Sequence, residues 1–600
     1  MAAYKAPLRD MRYLLHDVFQ GANLASLPGF EEFTPDLLDA VLDEAAKITE
    51  NVLHPLNRSG DEEGCRIENG QVRTPKGFPE AYQAFREGGW TSVSSDPAWG
   101  GQGLPRALNT LIEEMICSAN VSFSLYPGLT HGACITLGRY ASPELQETYL
   151  PKMVEGVWSG TMCLTEPHAG TDLGLLRTTA RPLPDGSYSV TGTKIFITAG
   201  DHDLTENIIH LVLARLPDAP KGVGGISLFL VPKYVPDASG KPGEPNNVVA
   251  SALEHKMGIK ASATCVMNFD DSRGWMVGEP NKGLRALFTM MNTERLGVGL
   301  QGLALAEASY QGAATYALER LQGRSVAGPR FPDLPADPII VHPDVRRMLL
   351  TQRAYAEGCR ALAVWVAMAL DNESRNPDPE ERAAASDLVA LMTPVVKALL
   401  TDLGSEAANL GMQVLGGHGY IREHGMEQYV RDCRIAQIYE GTNGIQALDL
   451  VGRKLPEGQG RLLRQFFHPV EAFIAEHSGN EALAPFIGPL QKVFGRLQQA
   501  TGFIAERGMA DPEEAGAASS DYLRLFGFTA LAWLWARMVV VSMPKVGTHE
   551  DPTGFHVAKI ATARFFMERV LPQTSGLFAA IMAGGGSMST FPDEAFGDRN

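Results

Sequence analysis

The apolar residues of this chain keep a helical period to about Trp158, shift to alternation, and return to the helical period at about residue 283. A double switch of period confines the chain to a strand-rich unit set between helical ones. "TPDLLDAVLDEAAKITENVLHPLN" opens with Thr34-Pro35 and carries i, i+3, i+4 apolar spacing, which predicts a helix. "SYSVTGTKIFITAG", "NIIHLVLARL", "GGISLFLVPKY" and "ATCVMNFDD" are β-branched runs separated by Gly, Pro, Asp and Asn. They predict the strands of an antiparallel β domain. Long amphipathic segments then follow to about Leu455, as in a helical bundle, and "PEGQG" at 456–460 precedes a last helical set. The expected fold is α+β and mostly α. Its parts are an extension (1–35), a helical domain (36–158), a β domain (159–282), a bundle (283–455) and an additional helical domain (461–600).

Six hundred residues exceed what one hydrophobic core supports. A net charge of −17 disfavours nonspecific binding to nucleic acid or anionic lipid. The seven cysteines are scattered without a C-x-x-C pair, which points to reduced thiols in the cytoplasm rather than a disulfide framework or a metal site. The start, "MAAYKAPLRDMRYLLHDVF", carries charges through its apolar positions and so lacks the apolar core of a signal peptide. "LFGFTALAWLWARMVVVSM" (525–543) approaches the length of a membrane span, but Gly527 and Arg537 interrupt it and a buried helix is expected.

Gly297-Val-Gly-Leu-Gln-Gly302 matches a dinucleotide fingerprint, yet it lies inside a helical pattern instead of following a strand. Close helix packing explains it better. "MCLTEPHAGTDLGLLRTT" (162–179) ends a strand in a tight polar turn, whose backbone N–H groups and hydroxyls suit a phosphate or a heterocycle edge. In "GTKIFITAG", alternation places Lys194, Phe196 and Thr198 on one strand face. Either segment alone also reads as an ordinary turn or strand.

"TEPHAGTD", "GTKIFITAG", "LERLQGR", "QVLGGHGYIREHGMEQYVRD" and "QIYEGTNGIQ" occur in this order at domain-scale spacing. Across about 36–455 the chain thereby resembles the acyl-CoA dehydrogenase family. With its extensions it resembles the long bacterial subgroup that includes 3-(methylthio)propanoyl-CoA dehydrogenases. The resemblance implies FAD held between the β domain and the bundle of a homodimer or larger homo-oligomer. It also implies an acyl-CoA substrate and an electron-transferring flavoprotein as acceptor. By the matching positions, the backbone of Met162 and Leu164 and the Thr165 hydroxyl meet the flavin ring. Thr171 lies at the pyrophosphate and substrate side, and Thr198 near flavin N5. Phe196 stands where the family often has a stacking Trp. Arg320 matches an arginine that reaches the partner's FAD phosphates, and Gln413 and Gly417 match further contacts to the partner's FAD. Gly323 replaces a common Phe. Thr442 is a flavin-adjacent hydroxyl, and Asn292 and Arg295 match positions near the CoA pantetheine.

Glu440, between Ile438-Tyr439 and Gly441, then takes the role of catalytic base. Its apolar approach desolvates the carboxyl and raises its pKa. Gly441 admits the substrate thioester, and the Glu440 N–H is placed to bond the thioester carbonyl. Glu294 in "MNTERLG" matches the base position of other family members and is the rival. Two other functions go with relatives that carry an added C-terminal region. They are an acyl-CoA oxidase and a flavin-containing DNA-binding alkylation-response protein, the latter requiring a basic C-terminal groove that the slightly acidic 461–600 does not supply.

Overall fold

The computed structural model describes residues 3–597. Helix α1 (Pro35–Ile48) starts at the Thr-Pro signal, where Thr34 Oγ1 accepts from Leu37 N at 3.3 Å. It is followed by α2 (Phe78–Glu87), α3 (Arg106–Tyr140) and α4 (Pro143–Glu155). The α3 segment is two helices meeting at Asn120, whose φ of −161° and ψ of 90° break the spiral. Asn120 Oδ1 accepts from Phe123 N at 3.1 Å, and its Nδ2 donates to Leu53 O at 3.3 Å. This corner brings Arg106, in the first turn, back against His131.

Seven strands form the central sheet: β1 (Trp158–Cys163), β2 (Thr179–Pro182), β3 (Tyr188–Thr198), β4 (Asn207–Arg215), β5 (Ile226–Pro232), β6 (Val248–Leu253) and β7 (Thr264–Val277). Their order is β6-β7-β3-β2-β4-β1, and β5 pairs with both β7 and β4, which closes a ring. Strand β4 is buried on both faces except at Arg215, which explains its unbroken apolar run. The sheet is not wholly antiparallel as expected. β1 pairs parallel with β4, because the chain passes through β2 and β3 before it returns beside β1.

A second departure lies in β3. Between the pairs Cys265↔Ile197 and Met267↔Lys194, three steps on β3 oppose two on β7. Phe196 takes up the extra residue at φ +59°. The bulge breaks the alternation, so Phe196 is 58% exposed while Lys194 is fully buried on the other face. Lys194 therefore does not share a face with Phe196 and Thr198.

The bundle is built on α5 (Gly283–Glu319), α6 (Pro343–Arg375) and α7 (Pro379–Val414), followed by α8 (Met426–Arg434) and α9 (Asn443–Asp449). Gly299 and Gly302 of the false fingerprint let α5 and α7 touch along their backbones. A Cβ on Gly302 would stand 2.3 Å from the Leu400 carbonyl oxygen, and one on Gly404 would stand 2.3 Å from that of Gly302.

The remaining helices are α10 (Arg461–His477), α11 (Ala484–Ala510), α12 (Pro512–Ser542), α13 (Phe555–Phe565) and α14 (Thr574–Ala583). Among the described residues two helices, α7 and the one containing α12, are long and apolar enough to cross a membrane, and 83% of the most apolar window of the second is buried within the chain. Trp533 of α12 meets Trp365 of α6 edge-on, with ring centroids 4.9 Å apart. The N-terminal extension packs on this added domain: Tyr13 donates its hydroxyl proton to Met538 O at 2.7 Å. Buried charges join the parts. Arg360 of α6 bonds Asp10, Glu114 and Glu307, and Lys559 of α13 bonds Asp10 and Glu357. Asp10 thus receives both cations, one from the bundle and one from the appended domain.

Candidate active site

The turn between α8 and α9 carries Glu440 at φ +56° and Gly441 at φ +84°. A left-handed residue other than glycine costs on the order of 1–3 kcal/mol and persists where its surroundings hold it. Here they do. Gln446 Nε2 donates to Gly441 O at 2.9 Å and to Glu440 O at 3.3 Å. On α7, Asp402 Oδ1 accepts from Gln437 Nε2 at 2.6 Å and from Asn443 Nδ2 at 2.7 Å, so one carboxylate grips both flanks of the turn. Lys397 Nζ donates to Asn443 Oδ1 at 2.8 Å. Tyr439 donates its hydroxyl proton to Gln301 of α5. Among the described residues, nothing accepts the Glu440 N–H. Glycine is required at 441, since φ is positive and a Cβ would stand 2.6 Å from Gln446 Nε2.

Burial raises the Glu440 pKa, and the nearby Arg295 and Lys397 charges pull it back, leaving it at about 7. Glu294 is pushed well above the usual carboxylate range by burial first, then by the charges of Glu440 and Glu113. At neutral pH Glu294 holds its proton while Glu440 titrates. The Lys397 ammonium is fully buried, and desolvation lowers its pKa to about 8 although Glu440 and Asp402 favour its charged form. Arg295 is buried beside Gly441, 3.9 Å from Asp449 and 3.4 Å from Asn292 Oδ1. It faces inward, whereas Asn292 is exposed.

A cleft with about 820 Å³ of unfilled space is lined by Thr293, Glu294, Gly297 and Gln301 of α5 and by Trp90, Ser94 and His131 of the N-terminal helical part. Gln301 both lines it and holds Tyr439, which ties the cleft to the Glu440 turn.

On the β side, Met162 lies near the end of β1 and is followed by Leu164 and Thr165. Thr165 O accepts from Ile195 N at 2.9 Å. Lys194 Nζ donates to Leu164 O at 3.0 Å and to Glu166 Oε1 at 2.9 Å. Glu166 also accepts from Arg177 N at 2.7 Å and from the Thr178 hydroxyl at 2.6 Å. Burial would raise the Glu166 pKa, but Lys194 and these donors hold it down to about 2. The buried pair fixes the 164–178 turn to β3 and leaves Phe196 and Thr171 exposed.

Thr198 pairs with Thr264, and the preceding loop is docked on helices. Tyr126 of α3 accepts from Ala263 N at 2.9 Å, and Asp432 of α8 accepts from Ile259 N. Strand β3 and the helix leading to Glu440 are thereby joined through one loop. Phe196 on β3, and Thr442 and Ile438 in the Glu440 turn, are each left exposed.

Arg320, Gln413 and Gly417 do not join this group within one chain. Arg320 follows the last turn of α5 and is exposed, as are Gln413 and Gly417. The Tyr316 hydroxyl and His418 Nδ1 are hydrogen-bonded at 2.8 Å, which keeps Arg320 and Gly417 at the same end of the bundle. Gln413 lies eleven residues beyond Asp402 on α7, about 16 Å along the axis. Gly323 has φ +69°, which suits glycine in place of a packing aromatic.

Reasoning from sequence missed Gln446, Asp402, Lys397, Gln301 and the Glu166–Lys194 pair. A lone lysine in the apolar run "TPVVKALL" was a usable sign, since a buried ammonium requires a partner.

Four family models match in series. They are the acyl-CoA dehydrogenase N-terminal domain (36–157), middle domain (161–272) and C-terminal domain (281–455), and an acetyl-CoA dehydrogenase C-terminal-like domain (466–592). The chain is 43% identical to 3-methylmercaptopropionyl-CoA dehydrogenase of Ruegeria pomeroyi, over 98% of this chain and 99% of that protein. It is 33% identical to a butyryl-CoA dehydrogenase of Syntrophomonas wolfei, over 99% of each. The structure of Caenorhabditis elegans ACDH-11 in complex with C11-CoA superposes with a TM-score of 0.75 at 18% identity, covering 93% of this chain and 91% of that one, a likeness of fold. The chain belongs to the acyl-CoA dehydrogenase family of FAD-dependent oxidoreductases that dehydrogenate acyl-CoAs.

Proposed function

We propose that this protein converts a short acyl-CoA, 3-(methylthio)propanoyl-CoA foremost, to the trans-2-enoyl-CoA with Glu440 as base. The observation that carries the reading is the held, left-handed Glu440, whose carboxyl titrates at about 7 and whose N–H has no acceptor among the described residues. The carboxylate takes the α proton and becomes a neutral acid, the form that its desolvated position favours. The free N–H meets the thioester carbonyl as negative charge grows there. Arg295 and Lys397 keep enough carboxylate present at neutral pH for the transfer. FAD, when bound, supplies the acceptor for the β hydride.

The residues that would hold it are the backbone of Met162 and Leu164, Thr165, Thr171, Phe196, Thr198 and Thr442, with Arg320, Gln413 and Gly417 supplied by a second copy of the chain. Asn292, which is exposed, would meet the CoA pantetheine beside Arg295. The name of the Ruegeria pomeroyi relative supports the substrate, and a cleft that sets Ser94, Asn109 and His131 among apolar walls suits a short chain carrying a heteroatom. Electrons pass to an electron-transferring flavoprotein, and the enzyme works as a homodimer or larger assembly in the cytoplasm, where its seven free thiols stay reduced. The buried α12 argues for packing within the chain and against stable membrane insertion.

Anaerobic titration of the purified flavoprotein with a panel of acyl-CoAs tests this reading. Rapid bleaching by 3-(methylthio)propanoyl-CoA and butanoyl-CoA is expected. Bleaching by neither would remove the substrate assignment. Stoichiometric peroxide during aerobic turnover would make the enzyme an oxidase.

A further inference from the structure

A second cavity, with about 1060 Å³ of unfilled space, adjoins the cleft lined by Glu294. The two share Ser94 and His131 and no other lining residue. Beyond that partition the second cavity runs past Cys134, Leu150 and Val154 to Phe30 of the N-terminal extension. The Arg375 guanidinium covers the Phe30 ring at 4.6 Å.

We propose that His131, braced by Arg106, is the wall that ends the acyl cavity and sets the longest chain the enzyme accepts. The inference rests on the reading of the Glu294 cleft as the acyl slot. It makes His131 a specificity-determining residue, one position along α3 from Gly132, which packs against the Glu294 carboxyl.

The brace is built from both ends of α3. A guanidinium only donates, so the Arg106–His131 bond fixes Nε2 as the acceptor and leaves the ring proton on Nδ1. Arg106 is itself fixed, because Asp371 Oδ1 accepts from its backbone N at 2.7 Å and Asp371 Oδ2 accepts from Ala107 N at 3.0 Å. Burial first, and the Arg106 charge second, push the His131 pKa down to about 3. The ring therefore stays neutral and keeps its bond at any pH where the enzyme works. The wall does not swing with protonation. Ser94, the other shared residue, has a buried Oγ without a hydrogen-bond partner, so the partition is polar on both sides. A growing alkyl chain meets polar atoms there and loses its reason to advance.

Truncating His131 joins the two spaces and opens apolar surface at Leu150 and Val154. Each methylene that lodges in new apolar room changes kcat/KM by about tenfold or more. The experiment is kcat/KM with straight-chain acyl-CoAs from four to sixteen carbons for the wild type, His131→Ala and His131→Phe, each holding FAD. Expected is a steep fall with length in the wild type, an optimum moved up by several carbons in His131→Ala, and the short-chain profile retained in His131→Phe, where a ring still fills the partition. Wild-type enzyme that oxidises hexadecanoyl-CoA as fast as its best substrate overturns the proposal without any variant. So does an unchanged profile in FAD-loaded His131→Ala, or a lengthened one in His131→Phe. A wild type that no acyl-CoA reduces would instead overturn the reading of the slot itself.

Discussion

Gln446 Nε2 donates to the carbonyl of Gly441 at 2.9 Å, across one turn of chain that holds Glu440 in the left-handed region. The bond sets where the carboxyl and its own N–H stand. Gln446→Leu keeps the bulk and removes both donors. A small displacement of a catalytic group can cost on the order of a hundredfold in rate. The variant should retain FAD and lose kcat by tens to about a hundredfold, with KM changed far less. Unaltered kcat would show that the turn holds its shape without this side chain.

The pH dependence follows from the charges around Glu440. Its carboxylate must be free of its proton to act, so kcat/KM should rise with pH to a plateau above about 7. Arg295 and Lys397 favour the carboxylate, so Lys397→Met should move the inflection upward. Glu294 is already protonated there, so Glu294→Gln should leave the inflection in place. A downward move in Lys397→Met would contradict this arrangement of charge.

Stability responds with the opposite sign. The folded pKa of Glu440 lies above the unfolded value of about 4.3, so the native state loses stability as pH rises from there through about 7. Glu440→Gln removes that penalty. Its Tm should exceed the wild-type Tm by more at about pH 8 than at about pH 5, read by calorimetry of each protein at both pH values.

Arg320 is exposed at the end of α5 and has no carboxylate partner among the described residues. If it completes the FAD site of a second copy, Arg320→Ala should release FAD on dilution and loosen the assembly, seen together by absorbance and gel filtration. Full retention of FAD would remove the role across subunits.

Asp10 receives Lys559 from the appended domain and Arg360 from the bundle. Lys559→Met leaves buried Asp10 with Arg360 alone and Glu357 with Arg353 alone, so the loss should fall below the about 3–5 kcal/mol of a buried pair broken outright. A cooperative loss of Tm is expected, and truncation at 456–460 should expose Trp365 and its neighbours and cause aggregation. A truncated protein that remains soluble and active would show that this domain is not part of the core.

The double switch of period was enough to foresee helices, sheet and helices, and the helical context of Gly297–Gly302 was enough to reject a fingerprint. The phase of β3 was not legible. One extra residue at Phe196 turns Lys194 to the buried face, and alternation read from sequence carries no sign of a bulge. The parallel pairing of β1 with β4 joins segments far apart in the chain and escaped for the same reason. At the site, Glu440 and Gly441 were visible from local pattern and resemblance. Asp402, Lys397 and Gln301 were not, because their contacts with the turn depend on how α5 and α7 pack.

Glu440, rather than Glu294, is proposed as the base. Stopped-flow reduction of bound flavin by 3-(methylthio)propanoyl-CoA, with Glu440→Gln and Glu294→Gln beside the wild type, tests it directly. General-base assistance contributes about 10²–10⁴-fold. Glu440→Gln should remain yellow, bind the acyl-CoA and reduce slower by at least that factor, while Glu294→Gln keeps most of the wild-type rate. The reverse ranking would contradict the account and pass the role to Glu294.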